Sequence, residues 1–388
     1  MGTTIPCDVA IVGGGLAGGL IALALLAKRP DCDVRIVEAG ATLGGDHVWS
    51  FFGSDVVAAD RWLLEPLVVH GWRGYDVAFP HLAREVDATY YSVTSERFDA
   101  VLRARLPARA VMTGRRVLAL SPTAVVLGDG DRIAAKAVID CRGPGDLSVL
   151  DLGWQKFVGQ ELALAQPHGI DRPRVMDATV AQIDGYRFVY SLPFAPARMF
   201  VEDTYYSDTP DLDGAAIGVR IADYARARGW QVEDVVRGEA GVLPITLGGD
   251  FEAYWRSTGG SIAKAGMRAG LFQPATGYSL PDAVRLAVRL AQESDLSGPA
   301  LARFTYGYAQ AAWRRGAFYR MLGAMMFRAG HPAERWRIIE RFYRLGPALI
   351  TRFYAGRSTL GDKARILTGK PPVPVGRAIR VLRTTAWR

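Results

Sequence analysis

The most definite chemistry in this chain belongs to a run of glycines. Gly13-Gly14-Gly15-Leu16-Ala17-Gly18 has the G-x-G-x-x-G spacing, and Glu38 stands twenty residues beyond Gly18. Each position has a physical role in holding a dinucleotide. Gly13 permits a tight turn, Gly15 lets the backbone approach a pyrophosphate, and Gly18 lets a helix pack closely on a strand. The helix that follows presents free N–H groups and its positive end to the phosphates. Glu38 falls where a ribose hydroxyl is held. The rival reading is a transmembrane helix, because residues 9–27 carry no charge. Three successive glycines at a strand–helix junction, with Glu38 in register, argue against it.

These residues need elements to position them. Residues 8–12 form a short apolar run suited to a buried parallel strand, 19–27 read as a helix, Pro30-Asp31 breaks it, and 34–37 form a second strand. After Glu38 a loop through Gly44 and Gly45 leads to Trp49, Phe51 and Phe52, which suit either a cofactor's surroundings or a plain core. A helix opens near residue 93 with Thr94 or Ser95 as its cap, carries Arg97 in its first turn and runs to about Leu106. Residues 117–127 and 132–141 read as strands around the turn Gly128-Asp129-Gly130. From 154 to 251 the pattern changes to alternating strands at 175–180, 186–193, 199–206 and 238–246, expected to form an antiparallel sheet inserted into the nucleotide domain. Their aromatics suit an apolar cavity and equally a sheet core. The chain then returns through Gln273-Pro274-Ala275-Thr276-Gly277-Tyr278, a loop that precedes an apolar helix at 280–293.

Composition narrows the function classes. A chain of 388 residues, 49% hydrophobic, has ample material for a core of two or three units. Cys7, Cys32 and Cys141 are odd in number and lack C-x-x-C spacing, and the five histidines form no ligand pair at helical spacing, so no metal site is expected. The net charge of +8 is concentrated at one end. Residues 313–388 carry 17 Lys and Arg against Glu334, Glu340 and Asp362, while the rest of the chain is net acidic. Such asymmetry points to an anionic membrane surface or nucleic acid. No nucleic-acid module accompanies the charge. The tail has no spanning segment and could lie on a bilayer, with Trp336, Ile339 and Tyr343 on one face among Arg335, Arg337, Arg341 and Arg344. The plainer reading is a helical lid with a solvated basic face.

Taken together, the motifs resemble those of the bacterial lycopene beta-cyclases, an FAD-dependent carotenoid cyclase family, over essentially the full length. The resemblance rests on the glycine fingerprint, on Gly44-Gly45-Asp46-His47-Val48-Trp49-Ser50 and on Val175-Met176-Asp177-Ala178. It rests also on Phe200-Val201-Glu202-Asp203-Thr204, the Gly238-Glu239-Ala240-Gly241 stretch, and Phe272-Gln273-Pro274-Ala275-Thr276-Gly277-Tyr278. Plant members have two glutamates where this chain has Glu202-Asp203. The resemblance implies a redox-neutral isomerase that converts lycopene, and other acyclic-ended carotenes, to beta-ionone rings, giving beta-carotene through gamma-carotene. It implies FAD in its reduced form, with NAD(P)H as electron donor. The cofactor set is then Gly13, Gly14, Gly15, Leu16, Ala17, Gly18, Glu38, Gly45, Arg97, Gln273, Pro274, Gly277 and Tyr278. Protonating an alkene needs a strong acid in a dry site, which a carboxyl in an apolar pocket supplies. Glu202 is the candidate. Strand alternation puts Phe200, Glu202, Thr204 and Tyr206 on one face and Asp203 on the other, so Asp203 is expected to orient or support, and Glu239 is the second-rank acid. A flavin monooxygenase or prenyl-lipid reductase of the same fold, and a non-enzymatic prenyl-lipid carrier, are the alternatives.

The expected architecture is α/β. A Rossmann-type FAD-binding domain in two pieces, 1–153 and 255–300, holds an inserted β-sheet substrate domain, 154–254. A helical, basic, membrane-facing region, 301–388, follows. The expected location is peripheral, on the cytoplasmic face of the membrane, without signal peptide or transmembrane helix.

Overall fold

The computed structural model describes residues 2–369 and 373–384. Its first sheet is built around Thr4–Val12, which pairs in parallel with Val34–Val37 on one side and Arg132–Asp140 on the other. Val111–Met112 and Ala263–Lys264 extend the parallel part at its two ends. Ala124–Leu127 and Val117–Ser121 add an antiparallel hairpin. That hairpin corrects the single strand expected over 117–127: the chain turns at Pro122. Helix Leu16–Lys28 runs back over the sheet. Its residues are buried on nearly every side, between helix Leu280–Leu290, helix Ser95–Arg105 and the sheet. This is why residues 9–27 lack charge: a helix packed all round is apolar all round.

The second sheet has seven strands. Their order is Val232–Gly249, Leu150–Leu164, Arg198–Ser207, Tyr186–Ala195, Arg174–Asp177, Tyr75–Phe79 and Leu82–Val86. It therefore reaches outside the 154–254 span and takes in a hairpin from between the nucleotide-domain elements. Helix Gly214–Ala227 covers one face through Ile217, Ile221 and Tyr224, against Val158, Val189, Val201 and Tyr205. The alternate residues, Phe157, Phe188, Phe200 and Tyr206 among them, line the other face. A third sheet of Val48–Phe52, Tyr90–Thr94 and His70–Trp72 joins the two units.

The C-terminal region is helical from Gly298 onward. Helix Gly298–Arg315 packs on the first sheet, where the Thr305 hydroxyl accepts from the Lys264 N–H. Helix Ala317–Ala324 packs on strand Val232–Gly249. The interfacial reading of 335–344 needs correction. Arg335 is fully buried; it pairs with Asp208 at 2.7 Å and donates to the carbonyls of Tyr206 and Phe327, tying this turn to the second sheet. Tyr343 is buried, and Trp336 and Ile339 pack on the same core, so the apolar face of helix Trp336–Tyr343 turns inward. Arg341 donates to the Thr368 carbonyl, and Arg344 pairs with Glu340. The exposed apolar residues lie farther on: Leu360, Leu367, Val375, Ile379 and Leu382. Part of the basic tail, including Lys370 and Arg388, lies outside the described residues.

Candidate active site

The glycine turn has the form a dinucleotide needs. Gly13 holds φ +105°, where a side chain would be strained and would strike the backbone of Cys141 and Arg142. A methyl group on Gly18 would sit 2.1 Å from the Gly13 carbonyl oxygen. Gly15 is different: a Cβ there meets nothing within 4 Å, so its backbone borders open space. Gly15 also caps helix Leu16–Lys28 without a side-chain hydrogen bond, and the first turn has no acidic residue, which leaves its N–H groups to an anion. Glu38 accepts from the Gly14 N–H at 2.7 Å and from the Gly40 N–H at 2.8 Å. Each carboxylate oxygen keeps a lone pair for a ribose hydroxyl. The residues present thus fit the adenosine and pyrophosphate of FAD.

The other cofactor candidates divide. Gly277 and Tyr278 reach the wall of an internal cavity, and Tyr278 donates to the Ser50 carbonyl at 2.7 Å and to Asp55 at 3.0 Å. Gln273 is buried and accepts from the Thr276 N–H at 3.0 Å, so it shapes its own loop, with Pro274 beside it packed toward Gly316. Gly45 is an exposed glycine at φ +67° in the loop tied to the glycine turn through Gly44 N–H to Gly14 O. Arg97 is exposed and donates to the Pro66 carbonyl.

The cavity, about 260 Å³, lies between the third sheet, the returning loop and the open face of the second sheet. Glu202 and Glu239 both line it, and no lysine or arginine does. Register explains how they meet. In the middle strand Gly159 pairs with Glu202 on one side and with Glu239 on the other, so the two glutamates flank a residue without a side chain. A Cβ on Gly159 would stand 2.6 Å from the Phe200 ring and 3.0 Å from Glu239 Cγ. The empty position lets the two carboxyls face each other across the middle strand, close enough for the charge of Glu239 to act on Glu202. Glu202 accepts from the Thr204 hydroxyl at 2.7 Å. Glu239 Oε2 accepts from the Val48 N–H at 2.8 Å and lies 3.7 Å from His47 Nδ1. Burial first, and then the charge of Glu239, push the Glu202 carboxyl well above the ordinary carboxylate range.

Asp203, grouped with Glu202 among the candidate catalytic carboxylates, is turned to the helix-covered face. It is fully buried, held by Arg187 through three hydrogen bonds and by the Tyr205 hydroxyl, and it does not line the cavity. This geometry makes it a structural anion. Asp177 of the Met-Asp stretch is likewise buried among Arg174, Arg228 and the Tyr224 hydroxyl, while Met176 lines the cavity. Sequence reasoning missed Gly159 and Asp55, and it noted His47 only among the five histidines and within the Gly44–Ser50 stretch, with no role of its own. A glycine inside a strand often marks a close approach, but strand Leu150–Leu164 itself, broken by Gly153, Gly159 and a polar series, was not separately legible.

A second cavity, about 350 Å³, adjoins the first and shares Met176, Tyr206, Thr276 and Tyr354 with it. It runs between the second sheet and the C-terminal helices, lined by Met326, Ile338, Phe342, Ile379 and Leu382 among others. The exposed apolar residues of those helices lie at its outer end, since Leu367, Val375, Ile379 and Leu382 are both partly exposed and part of its lining.

The sequence matches the family model described as lycopene cyclase protein over residues 8–380. It is similar to the lycopene beta-cyclase of Pseudescherichia vulneris, with 47% identity over 373 residues covering 96% of each chain. It is similar also to that of Pantoea ananas, with 44% identity over 378 residues, 97% of this chain and 98% of the other. Among solved structures, a flavin-dependent brominase matches with a TM-score of 0.61 at 13% identity, covering 93% of this chain and 97% of its own. That last likeness is one of fold, which is the fold of FAD-dependent oxidoreductases and monooxygenases.

Proposed function

The chain belongs to the lycopene cyclase family, and from that premise we propose that it is a lycopene beta-cyclase whose ring-closing acid is Glu202. One observation carries the assignment of the acid. Glu202 and Glu239 form a carboxyl pair on the wall of an aromatic cavity, with Glu239 buried, and no lysine or arginine lines that cavity. Two like charges so close cannot both ionise, so the pair retains a proton at neutral pH. A retained proton in a dry site is what an alkene requires.

Glu202 adds that proton to the terminal double bond of an acyclic carotene end. The tertiary cation is attacked by the internal double bond, a six-membered ring closes, and a proton lost from the ring carbon that formed the new bond gives the beta ring. No electrons are gained or lost, so the product has the mass of the substrate and the enzyme is an isomerase. The aromatic faces of Phe157, Tyr190, Phe200 and Tyr206 border this space. Each suitably placed face is worth roughly 2 kcal/mol to a desolvated cation. Reduced FAD, with NAD(P)H as the source of its electrons, is the cofactor of this reading, and when bound it supplies a fixed negative charge beside the cation. Gly13–Gly18 and Glu38 would hold its adenosine and pyrophosphate, and Gly277 and Tyr278 the side of it nearest the cavity. The second cavity gives the unreacted length of the polyene a place, and the exposed apolar and basic residues at its outer end suit peripheral contact with a membrane.

Glu202→Gln tests the reading. It keeps the side chain's shape and removes the ionisable proton. In a lycopene-accumulating host the wild-type protein should yield cyclised carotene of unchanged mass. The variant should yield none while purifying with its flavin. Near-normal ring formation by Glu202→Gln would remove Glu202 from the mechanism.

A further inference from the structure

We propose that His47 connects the buried Glu202–Glu239 pair to solvent, exchanging the pair's proton with water between ring closures. This rests on Glu202 as the acid and extends it. Each closure forms one C–H bond, at the terminal alkene carbon, and breaks another, at the carbon that made the ring bond. If the pair gives the first proton and takes the second, it ends each closure protonated, but with a hydrogen that came from the substrate. Without a route to water, that same hydrogen returns to the next alkene.

His47 offers such a route. Glu202 faces the cavity, where its Oε1 accepts from Thr204 and aromatic rings border it. The Glu239 side chain is 1% exposed, while that of His47 is 44% exposed, with Nδ1 3.7 Å from Glu239 Oε2. One imidazole nitrogen therefore faces the carboxylate, and the ring, which also borders the cavity, is partly exposed. The histidine is held there. Its backbone carbonyl accepts from the Ser95 N–H at 2.9 Å and from Arg237 at 2.9 Å, and the N–H of the next residue, Val48, donates to the same Glu239 oxygen. The other oxygen, Glu239 Oε1, is buried with no donor. A proton carried by Glu202 supplies that donor, so the pair is completed by the proton that His47 would load.

The charges around His47 suit the task. Glu239, from strand Val232–Gly249, raises its basicity most, as the carboxylate facing Nδ1 at 3.7 Å; burial opposes this, Asp46 adds to it and Arg237 subtracts. Arg237 is itself paired with Glu96 of helix Ser95–Arg105. The carboxylate beside it thus favours the protonated imidazole, the form that can pass a proton inward.

The test counts deuterium. In D₂O the wild-type holoenzyme should place one deuterium in each ring. His47→Gln and His47→Ala should retain flavin, yet their rings should contain less than one deuterium, because hydrogen abstracted in one closure is handed to the next. Added imidazole should restore the deuterium content of His47→Ala. Lost turnover in flavin-replete variants would count against the relay, because the pair ends each closure already protonated. Full deuterium content in both variants would overturn the proposal. Glu202→Gln serves as the separate control: ring formation by that variant dismisses the acid assignment, whereas an inactive Glu202→Gln beside a fully deuterated His47→Gln product dismisses the relay alone.

Discussion

Gly159 is the residue across which two distant parts of the sequence bring their carboxyls together. Glu202 and Glu239 are in register with it on either side, and only the absence of a side chain lets them meet. Gly159→Ala would place a methyl 2.6 Å from the Phe200 ring and 3.0 Å from Glu239 Cγ. Because the Phe200 ring is buried, the substitution should displace it and separate the carboxyls. We expect ring formation to fall by about tenfold or more, equivalent to roughly 1.4 kcal/mol of barrier, with flavin content retained. Activity close to wild type would mean that the pair does not need to touch. The face carrying Glu202 was legible from the sequence, because strand alternation alone separates it from Asp203. The meeting with Glu239 was not, since it depends on the register of three strands, and the middle strand has the polar and glycine content of a loop.

At the level of elements, the strand–glycine–helix–strand unit of the first sheet was almost fully legible, because its turn chemistry is local. The structure adds a way to separate binding from folding. Gly15 has φ −72° and ψ −174°, which any residue adopts, and its Cβ position is open. Gly15→Val should therefore melt close to wild type without cofactor, yet purify without flavin; normal flavin absorbance in the variant would refute the phosphate-loop assignment. A second element, the returning loop, is locked to strand Val48–Phe52 through Tyr278 and Asp55, which no local pattern announced. Asp55 is fully buried, and burial, partly offset by hydrogen bonds from the Phe52 N–H and the Tyr278 hydroxyl, raises its carboxyl to about 7. A carboxyl with a raised folded-state pKa holds its proton more tightly in the folded protein. Its contribution to stability is full at low pH and is lost as pH rises from about 4 toward 7. Asp55→Asn does not titrate, so its melting temperature relative to wild type should rise between pH 5 and pH 8. A difference independent of pH across that range would show that Asp55 is ionised in the folded protein as it is in the unfolded one.

Across the whole molecule, charge and apolar surface are sorted toward the same end, and the sequence showed the first of these more clearly than the second. The excess of basic residues after Trp313 is plain in the composition. Which of them face outward is a tertiary matter: Arg335 is buried against Asp208, and Arg352 is paired with Asp362. Among the described residues after Asp362 there is no acidic side chain, and Arg365, Arg377, Arg380 and Arg383 are exposed beside Leu367, Val375, Ile379 and Leu382. No described helix is long and apolar enough to cross a membrane. A hydrocarbon substrate dissolved in a bilayer would reach the second cavity past these residues. Each arginine near an anionic leaflet is worth about 1 kcal/mol, and the attraction is screened by salt, whereas apolar insertion is not. Replacing Arg365, Arg377, Arg380 and Arg383 together by Gln should weaken binding to anionic liposomes by up to roughly a thousandfold at low salt, and less at high salt. Turnover of lycopene embedded in those liposomes should fall in parallel, while turnover of detergent-solubilised lycopene should hold. Unchanged co-sedimentation of the fourfold variant would place the membrane contact on another face and return these helices to the role of a lid.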